Sequence, residues 1–469
     1  MADKKPLPIT YYNESWFGIV KPAHRKLLKP ALEYTYEFWT EGPLHKQKRE
    51  GTASGVDATG LFQAGWIVRL KHYATERGYK VVLTEPPTKK IEAILPNVKG
   101  ITFRDDQMFC LNRVARRQRG LFEAPTGSGK TIIMMGICSM YPTQNILIIV
   151  PSKDLLYQTV KELMARFPHE AIGMIGDGIH TMNRITVGII NSLKKLTKEV
   201  IESIKVVIVD EAHRVSRGGT YDETMQRMIN ASIRIGLTAT IPKGDLKQET
   251  KAMYLEGAFG EVLGKVPFEQ LQKEGVLARP IIYLLQPPTI KDLNLISDYR
   301  MAYSRGISRN KERNEMIIDV AFHLWSSKKK STLIIIHELA HGKSLQKQFI
   351  DRGYDARFVK GSTSSRDRKK IKELLETKHV PIVIASSVWN EGINIKTLDA
   401  VINAGGYKSE KLTLQRLGRG TRTTKDKTEM LYFDFMDTSN KHLASHSLQR
   451  MAVYVRMGWL GNVYNLKGE

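Results

Sequence analysis

Short runs of apolar and β-branched residues alternate with amphipathic stretches of helical period from about residue 101 onwards. A strand-length run followed by such a stretch is typical of a buried parallel strand and the helix that crosses back over the sheet. The repeated alternation therefore predicts parallel α/β sheets. The expected strands include Ile146–Val150, Val187–Ile190, Val206–Val209, Ile233–Leu237, Thr332–Ile336, Ile382–Ala385 and Ala400–Asn403.

Three domains are expected along the chain. Prolines and polar residues interrupt the alternation between residues 280 and 298, so we expect one parallel sheet in residues 100–280 and a second in residues 281–469. Residues 1–99 are expected to form a small α+β domain, with most of its aromatic side chains in the core. Its basic segment, residues 45–60, is expected to engage the substrate, and residues 442–466 are expected to form a helical C-terminal tail on the second sheet.

The composition excludes several classes of protein. With 42% hydrophobic and 26% charged residues among 469, the chain can build sizeable cores and is neither disordered nor collagen-like. Its two cysteines, Cys110 and Cys138, predict neither a disulfide scaffold nor a structural zinc site. The longest apolar runs have strand length and the N-terminus carries no apolar export segment, so we expect a soluble, cytoplasmic protein that does not bind a membrane.

The formal net charge of +24 points to a polyanionic partner, and residues 281–469 carry +13 of it. Such a field attracts nucleic acid and accelerates its capture, without distinguishing DNA from RNA. Individual basic runs, such as residues 328–330 and 366–372, are each also explained as solvated faces.

Polar residues follow several of the expected strands directly. Ser152 comes soon after the strand that ends at Val150, Asp210 follows Val209, and Thr238 follows Leu237. Open α/β sheets bind their ligands at the carboxyl ends of their strands. The active site is therefore expected at this edge of the first sheet.

The segment from Glu123 to Thr131 has the spacing of a phosphate-binding loop, with Ala124 in place of its first glycine. Glycines at two positions let backbone N–H groups turn towards phosphate oxygens, and the helix that follows adds its positive end. The lysine can then reach the β- and γ-phosphates, and the threonine hydroxyl can bind Mg²⁺. The residues expected to hold the nucleotide are Pro125, Thr126, Gly127, Ser128, Gly129, Lys130 and Thr131.

Asp210 and Glu211 form an acidic pair directly after an expected strand. Two adjacent carboxylates can divide the chemistry of hydrolysis, because one can bind the metal while the other orients and deprotonates the attacking water. An isolated acidic pair is more often a helix cap. The preceding strand and the following Ala212 and His213 favour the catalytic interpretation.

These motifs resemble those of superfamily-two helicases. The sequence between them is most similar to that of phage recombination helicases and their branch-migrating relatives, and the similarity is firm over residues 101–435. The matching segments are Arg104 to Gln107 (adenine-reading motif), Glu123 to Thr131 (motif I), Asp210 to His213 (motif II), Thr238 to Thr240 (motif III), Ser386 to Asn394 (motif V) and Gln415 to Arg422 (motif VI).

The resemblance implies two tandem RecA-like parallel-sheet domains and an ATPase that uses Mg²⁺. Gln107, with Arg104 beside it, would read the adenine, and the backbone of Gly392 would approach the nucleotide. Lys130 and Thr131 would hold phosphates and Mg²⁺, Asp210 the metal, and Glu211 the water. Residues of the second domain would face the γ-phosphate, and they are Gln415, Arg419 and Arg422.

The same resemblance implies contacts to a nucleic acid strand from loops of both domains. It favours an ATP-dependent DNA helicase that unwinds forked or branched DNA, including its single-stranded and duplex arms, and drives branch migration in replication, recombination and repair. A monomer is expected, with replication or recombination proteins as possible partners. An RNA helicase and an ATP-gated clamp that does not unwind remain alternatives. The strand-contacting residues implied are Pro151, Ser152, Asn191, Ser192, His337, Lys343 and Ser386.

Overall fold

The computed structural model describes residues 5–11, 17–41, 46–84, 90–216, 219–243, 246–386, 395, 398–406, 429–459 and 463–465. Its contacts divide the chain into two compact units. The first consists of Met1–Ala124 and Gly129–Val266, and the second of Pro125–Ser128 and Pro267–Glu469. Of the helices in the described ranges, none has both the length and the apolar character needed to cross a membrane.

The chain begins with a small α+β region. Its elements are β1 (Lys5–Tyr11), β2 (Phe17–Val20), α1 (Pro22–Leu28), β3 (Glu33–Glu41), β4 (Lys46–Ser54), β5 (Leu61–Gln63), α2 (Ile67–Glu76) and β6 (Tyr79–Thr84). Four of the strands form a sheet of order β5-β2-β1-β6, in which β1 and β6 are parallel and the other pairs antiparallel. β3 and β4 form a separate antiparallel hairpin, and the basic segment expected to engage the substrate lies largely in β4.

The rest of the first unit is built on an eight-stranded sheet of order β10-β9-β11-β8-β12-β13-β7-β14, in which only the short β10 runs antiparallel to its described neighbour. Its elements are α3 (Asp105–Arg117), β7 (Arg119–Glu123), α4 (Lys130–Met140), β8 (Ile146–Val150), α5 (Lys153–Arg166), β9 (Ile172–Gly176), β10 (Ile179–Thr181), β11 (Ile185–Ile189), α6 (Ile190–Leu193), α7 (Lys198–Ser203), β12 (Val206–Asp210), α8 (Thr220–Arg227), β13 (Ile233–Thr238), α9 (Leu246–Phe259) and β14 (Val262–Lys265).

Burial explains why these strands are continuously apolar. Every residue of β8, β12 and β13 is buried. Helices cover both faces of a parallel sheet, so its central strands have no polar face and do not alternate.

The small N-terminal region packs closely on α9. The Trp66 ring donates a hydrogen bond from Nε1 to the carbonyl oxygen of Met253 at 2.9 Å, and Arg69 forms a bidentate ion pair with Glu256. A Cβ atom at Gly65 would lie 2.2 Å from the carbonyl oxygen of Glu256. This close approach of two backbones requires glycine.

The second unit contains a seven-stranded, fully parallel sheet of order β17-β18-β16-β19-β20-β15-β21 within the described ranges. Its elements are α10 (Phe268–Lys273), β15 (Arg279–Leu285), α11 (Tyr299–Tyr303), α12 (Lys311–Lys328), β16 (Thr332–Ile335), α13 (Leu339–Asp351), β17 (Ala356–Val359), α14 (Ser365–Glu376), β18 (Ile382–Ala385), β19 (Ala400–Asn403), β20 (Glu429–Phe435), α15 (Lys441–Arg456) and β21 (Val463–Asn465).

Two features of this unit differ in detail from the expected organisation. The boundary expected at residue 280 lies inside β15, because the second unit begins at Pro267 and includes α10. The tail is helical in α15, and it then adds the edge strand β21 beside β15. The expected fold class, two RecA-like parallel-sheet domains with a small N-terminal α+β region, is confirmed.

Buried ion pairs fix the carboxyl end of the second sheet. Asp434, at the end of β20, accepts hydrogen bonds from Arg450 Nε at 2.7 Å and from Asn403 Nδ2 at 2.9 Å. Arg313 is fully buried and donates to Asp437 Oδ1 at 2.8 Å. Buried charges with this many partners are stable only as complete networks.

Candidate functional site

The carboxyl ends of neighbouring strands bring the expected catalytic residues to one edge of the first sheet. β7 ends at Glu123, directly before the phosphate-binding loop, while β12 ends at Asp210 and β13 at Thr238. The three strands lie side by side in the order β12-β13-β7. The loops that follow them therefore share one space at that edge.

The phosphate-binding loop has the backbone that its glycines predict. Gly127 and Gly129 both have left-handed φ values, 88° and 92°. Gly129 is the N-cap of α4, so Lys130 and Thr131 lie in the first turn of that helix. The N–H groups at the start of α4 and the positive end of its dipole form an anion-binding site of the kind a triphosphate needs. Pro125, Thr126 and Ser128 complete the loop, and the Ser128 N–H donates to the carbonyl oxygen of Pro125 at 3.2 Å.

The Lys130 ammonium lies between the loop and the acidic pair. Its Nζ is 3.7 Å from Glu211 Oε1 and 3.4 Å from the carbonyl oxygen of Ala124. The Lys130 side chain is only 10% exposed and the Glu211 side chain 13%. A lysine held in this way is already placed for a phosphate that enters between the loop and the carboxylates.

Asp210 is the more buried member of the acidic pair, with 7% of its surface exposed. Burial raises its pKa to about 6, although the nearby Lys130 ammonium acts in the opposite direction. Its Oδ1 accepts the backbone N–H of Glu211 at 2.9 Å, which fixes the carboxylate orientation. A buried, oriented carboxylate gains strongly from a cation beside it, as expected of a metal ligand.

The turn at Glu211 connects motif II to motif III. Glu211 has a left-handed backbone with φ of 51°, which is uncommon for a residue with a Cβ. His213 Nδ1 lies 3.3 Å from Glu211 Oε2 and 2.8 Å from Thr238 Oγ1. Thr238 Oγ1 in turn donates to the carbonyl oxygen of Thr240 at 2.9 Å. The carboxylate expected to activate water is thus connected to the loop after β13.

Gln107 lies beside the phosphate-binding loop. Its Oε1 accepts the backbone N–H of Arg104 at 3.2 Å, and Arg104 is held by an ion pair with Asp106. Gln107 is 1% exposed, and its Nε2 has no hydrogen-bond partner among the described residues. A Cβ atom at Gly129 would lie 2.6 Å from this Nε2. A buried amide donor left unpaired beside the loop fits a ligand that supplies the missing acceptor.

The strand-contacting residues expected in the first unit lie at the same sheet edge. Pro151 and Ser152 follow β8, and the Ser152 side chain caps α5 by accepting the Leu155 N–H at 3.4 Å. Asn191 and Ser192 lie in α6, directly after β11. β8 lies beside β12 in the sheet and β11 lies on the other side of β8, so these loops follow the catalytic loops along the same sheet edge.

The strand-contacting residues expected in the second unit follow β16 and β18. His337 is exposed between β16 and α13, and Lys343 is exposed on α13. Ser386 is only 4% exposed, and its N–H donates to the carbonyl oxygen of Val359 at 3.1 Å. His341 is structural, since its ring is buried and its Nε2 lies 2.8 Å from Asn314 Oδ1. Gly392, Gln415, Arg419 and Arg422 lie outside the described residues.

Comparison with known proteins identifies the architecture that carries this site. Residues 100–243 match the family model of the type III restriction enzyme res subunit, and residues 312–424 match that of the helicase conserved C-terminal domain. The chain belongs to the superfamily-two helicases. This helicase uses ATP, since both matched domains are those of ATP-hydrolysing helicases.

Two relatives illustrate the similarity of the helicase to known proteins. It is 26% identical over 446 residues to the ATP-dependent DNA helicase uvsW of Enterobacteria phage T4, which covers 88% of this chain and 86% of that protein. It is 24% identical over 387 residues to the DNA 3'-5' translocase XPB2 of Sulfurisphaera tokodaii, which covers 75% of this chain and 84% of that protein.

Solved structures support the fold alone. The helicase is similar to the ATP-dependent Type ISP restriction-modification enzyme LlaBIII bound to DNA, with a TM-score of 0.58 and 16% identity over 81% of this chain and 32% of that one. It is also similar to the Mycobacterium smegmatis helicase Lhr bound to ssDNA and AMP-PNP, with a TM-score of 0.54 and 19% identity over 77% of this chain and 48% of that one.

The structure adds two residues to the site that the sequence had marked only as parts of motifs. His213 and Thr238 lie 25 positions apart in the chain, yet their side chains are hydrogen-bonded beside Glu211. The motif spacing signals that both are near the nucleotide. It does not signal that they touch, because that contact depends on β12 and β13 being adjacent.

Proposed function

We propose that this helicase is an ATP-driven DNA translocase that unwinds forked or branched DNA and drives branch migration during replication and recombination. The observation that carries the proposal is the shared edge of the first sheet. β7, β12 and β13 bring Lys130 and the acidic pair to this edge, and the adjacent β8 and β11 bring the loops expected to contact a strand. A change in the nucleotide can therefore act on the strand-contacting loops through neighbouring strands.

The described residues support a direct mechanism of hydrolysis. Lys130 would neutralise the β- and γ-phosphates, and Glu211 would orient the attacking water and accept its proton. The Asp210 carboxylate and the Thr131 hydroxyl are oxygen donors of the kind that Mg²⁺ takes together with substrate phosphates, and the ion would neutralise charge on those phosphates. From the second unit, Arg419 and Arg422, with Gln415, would stabilise the charge that develops on the transferred phosphoryl group.

Coupling to movement would begin at the contacts from Glu211 to His213 and from His213 to Thr238. Loss of the γ-phosphate changes the charge beside Glu211, and the His213 contacts at 3.3 Å and 2.8 Å pass that change to the loop after β13. Opening and closing of the two units around the nucleotide would then move one set of strand contacts relative to the other.

DNA is favoured over RNA by the similarity to proteins named as DNA helicases and DNA translocases. The net charge of +24 supports a nucleic acid substrate without separating the two polymers. Turnover is favoured over an ATP-gated clamp, because Glu211 is fixed within 3.7 Å of the phosphate-binding lysine. We propose that the protein acts as a monomer.

The test is a steady-state ATPase and strand-separation assay with forked DNA, linear duplex DNA, single-stranded DNA and RNA. We expect the largest stimulation of ATP hydrolysis by forked or branched DNA, with separation of its strands. Stimulation by RNA alone would replace the DNA assignment with an RNA helicase. ATP binding without polymer-stimulated turnover would favour the clamp.

A further inference from the structure

The turn between β9 and β10 is an exposed, preformed projection from the first sheet. All five residues of β9 are buried, whereas residues 177–181 are all exposed. Asp177 and Gly178 both have left-handed backbones, with φ values of 51° and 83°. Two such residues in succession form the tight turn that best fits the twist of an antiparallel hairpin. The turn therefore holds its shape without a ligand.

Side chains of α5 hold this turn in place. Lys153, in the first turn of α5, forms an ion pair with Asp177. One turn further along the helix, Tyr157 Oη donates to Asp177 Oδ2 at 2.9 Å. On the hairpin itself, Thr181 Oγ1 accepts the Met174 N–H at 3.0 Å. The hairpin and the N-terminal end of α5 are thus connected as one body, and both partners of Asp177 lie within five residues of Ser152.

The turn lies at the edge that carries the expected strand contacts. β9 is parallel to β11, and β11 is parallel to β8, so the turn after Gly176 is at the same end of the sheet as the loops after those strands. The sheet order β10-β9-β11-β8-β12-β13-β7 places the ATP-binding loops towards the β7 side and the hairpin at the far side. A DNA strand that crosses the loops after β8 and β11 would reach the hairpin next.

The chemistry of the tip is not that of a phosphate contact. Residues 176–181 read Gly-Asp-Gly-Ile-His-Thr and contain neither lysine nor arginine, although the whole chain carries +24. The side chains exposed just after the turn are Ile179, which is 37% exposed, and the imidazole of His180. An apolar side chain and a flat ring suit the exposed face of a base pair better than the sugar-phosphate backbone of DNA, because bases stack on apolar and aromatic surfaces.

We propose that the β9–β10 hairpin, with Ile179 and His180 exposed on opposite faces of β10 directly after the turn, is the wedge that enters the duplex at its last base pair and separates its strands. The inference rests on the proposed function and deepens it. Movement of α5 and its strand-contacting N-terminus carries the wedge along, because Lys153 and Tyr157 hold Asp177. Translocation along DNA and separation of its strands would then be produced by the same moving part of the first unit.

The double variant Ile179→Ala/His180→Ala tests the tip. We expect the maximal rate of fork unwinding to fall about tenfold, the loss expected when base-stacking contacts are removed. The kcat of ATP hydrolysis with single-stranded DNA should stay within about twofold of the wild type, because this step does not use a base pair. A 2-aminopurine placed at the last base pair of the fork should brighten on binding of the wild type and not of the variant.

A variant of Asp177, the residue that connects the hairpin to α5, and a matched control complete the test. Asp177→Asn keeps a residue that tolerates the left-handed backbone but removes the ion pair, and it should lower unwinding by about threefold without changing single-strand ATPase. Met164→Ala removes an apolar side chain that is more exposed than Ile179 (53% against 37%) from the other end of α5, and it should unwind like the wild type.

Three outcomes overturn the assignment or its basis, and they can be told apart. A tip variant that unwinds at the wild-type rate, or one that loses ATPase and unwinding in parallel, means that the turn is not the wedge. A wild-type protein that hydrolyses ATP on DNA but separates no fork removes the proposed unwinding function itself, and with it the wedge. In the first two cases the proposed function stands.

Discussion

At the scale of single residues, the proposed ATP site depends on a lysine and a carboxylate whose side chains lie close together. Lys130 Nζ and Glu211 Oε1 are 3.7 Å apart, and both side chains are largely shielded from water. We propose that an entering phosphate attracts Lys130 away from Glu211, which leaves the carboxylate free to accept a proton from water. We therefore expect the two residues to have separable roles, Lys130 in ATP binding and Glu211 in turnover.

Glu211→Gln should abolish ATP turnover while ATP binding is kept, since the amide is similar in shape but accepts no proton. Lys130→Ala should abolish turnover and also weaken ATP binding. Both are measured by steady-state ATPase and by equilibrium titration with a fluorescent ATP analogue. Glu261→Gln, a half-buried carboxylate of the same unit, serves as the control. Normal hydrolysis by Glu211→Gln would remove this residue as the general base.

His341 gives the second unit a pH-dependent stability. Burial, together with the nearby Arg313 guanidinium, lowers its pKa from 6.5 to about 3, so the folded ring stays neutral. The unfolded chain binds a proton as the pH falls below 6.5, and the folded protein does not until about pH 3. The stability held by the neutral ring is therefore complete above pH 6.5 and is lost as the pH falls towards 3.

For this reason, His341→Gln should lower stability at pH 7 but reduce its dependence on pH. Between pH 7 and pH 5 the wild type should lose about 2 kcal/mol more of unfolding free energy than the variant, as expected for one proton taken up only by the unfolded chain. Urea titrations of both proteins at the two pH values measure this difference. Parallel losses in both proteins would show that other groups dominate.

At the scale of elements, the N-terminal region and the first parallel sheet are connected through α9. The contact is dense because glycines on both sides let backbones approach. A Cβ at Gly257 would lie 2.0 Å from Gln63 Oε1, and one at Gly65 would lie 2.2 Å from a carbonyl oxygen of α9. The Tyr34 and Tyr254 hydroxyls are also 3.1 Å apart across the same contact.

Gly65→Ala should therefore destabilise the protein by about 1–3 kcal/mol, since the added methyl group meets backbone that cannot rotate away. The loss should appear as an earlier urea transition and faster proteolytic release of the N-terminal region. Lys71→Ala, on an exposed part of α2, is the matched control and should change little. Equal stability of Gly65→Ala and the wild type would mean that the backbone of α9 can shift to make room for the added methyl group.

Local sequence patterns predicted the individual strands better than they predicted which strands lie side by side. The runs at Ile146–Val150, Ile382–Ala385 and Ala400–Asn403 are strands with those bounds, because a strand buried on both faces is apolar throughout. Strand order, in contrast, is set by contacts between distant residues. The hydrogen bond between His213 and Thr238 and the contacts of α5 with Asp177 depend on that order. No local sequence pattern could therefore predict them.

At the scale of the whole molecule, charge and domain organisation act together. The chain carries two parallel sheets in separate units, and its net charge of +24 attracts a polyanion. DNA affinity should consequently fall steeply with salt, by about 10³-fold or more between 50 and 200 mM if six or more phosphates are contacted. Fluorescence anisotropy with labelled forked DNA measures this slope, and an affinity independent of salt would contradict a backbone-tracking mechanism.

The decisive prediction for two cooperating units concerns Arg422, which the sequence assigns to motif VI. If the second unit supplies this guanidinium to the γ-phosphate only when the nucleotide is bound between the units, Arg422→Ala should leave ATP affinity nearly unchanged and slow hydrolysis by about 10³-fold or more. Single-turnover hydrolysis and equilibrium ATP binding separate these two effects. Arg456→Ala, a change of the same type on α15, is a control for the general loss of positive charge. Unchanged turnover in Arg422→Ala would mean that hydrolysis is completed within the first unit, and ATP cleavage would then have no direct means of moving one unit against the other.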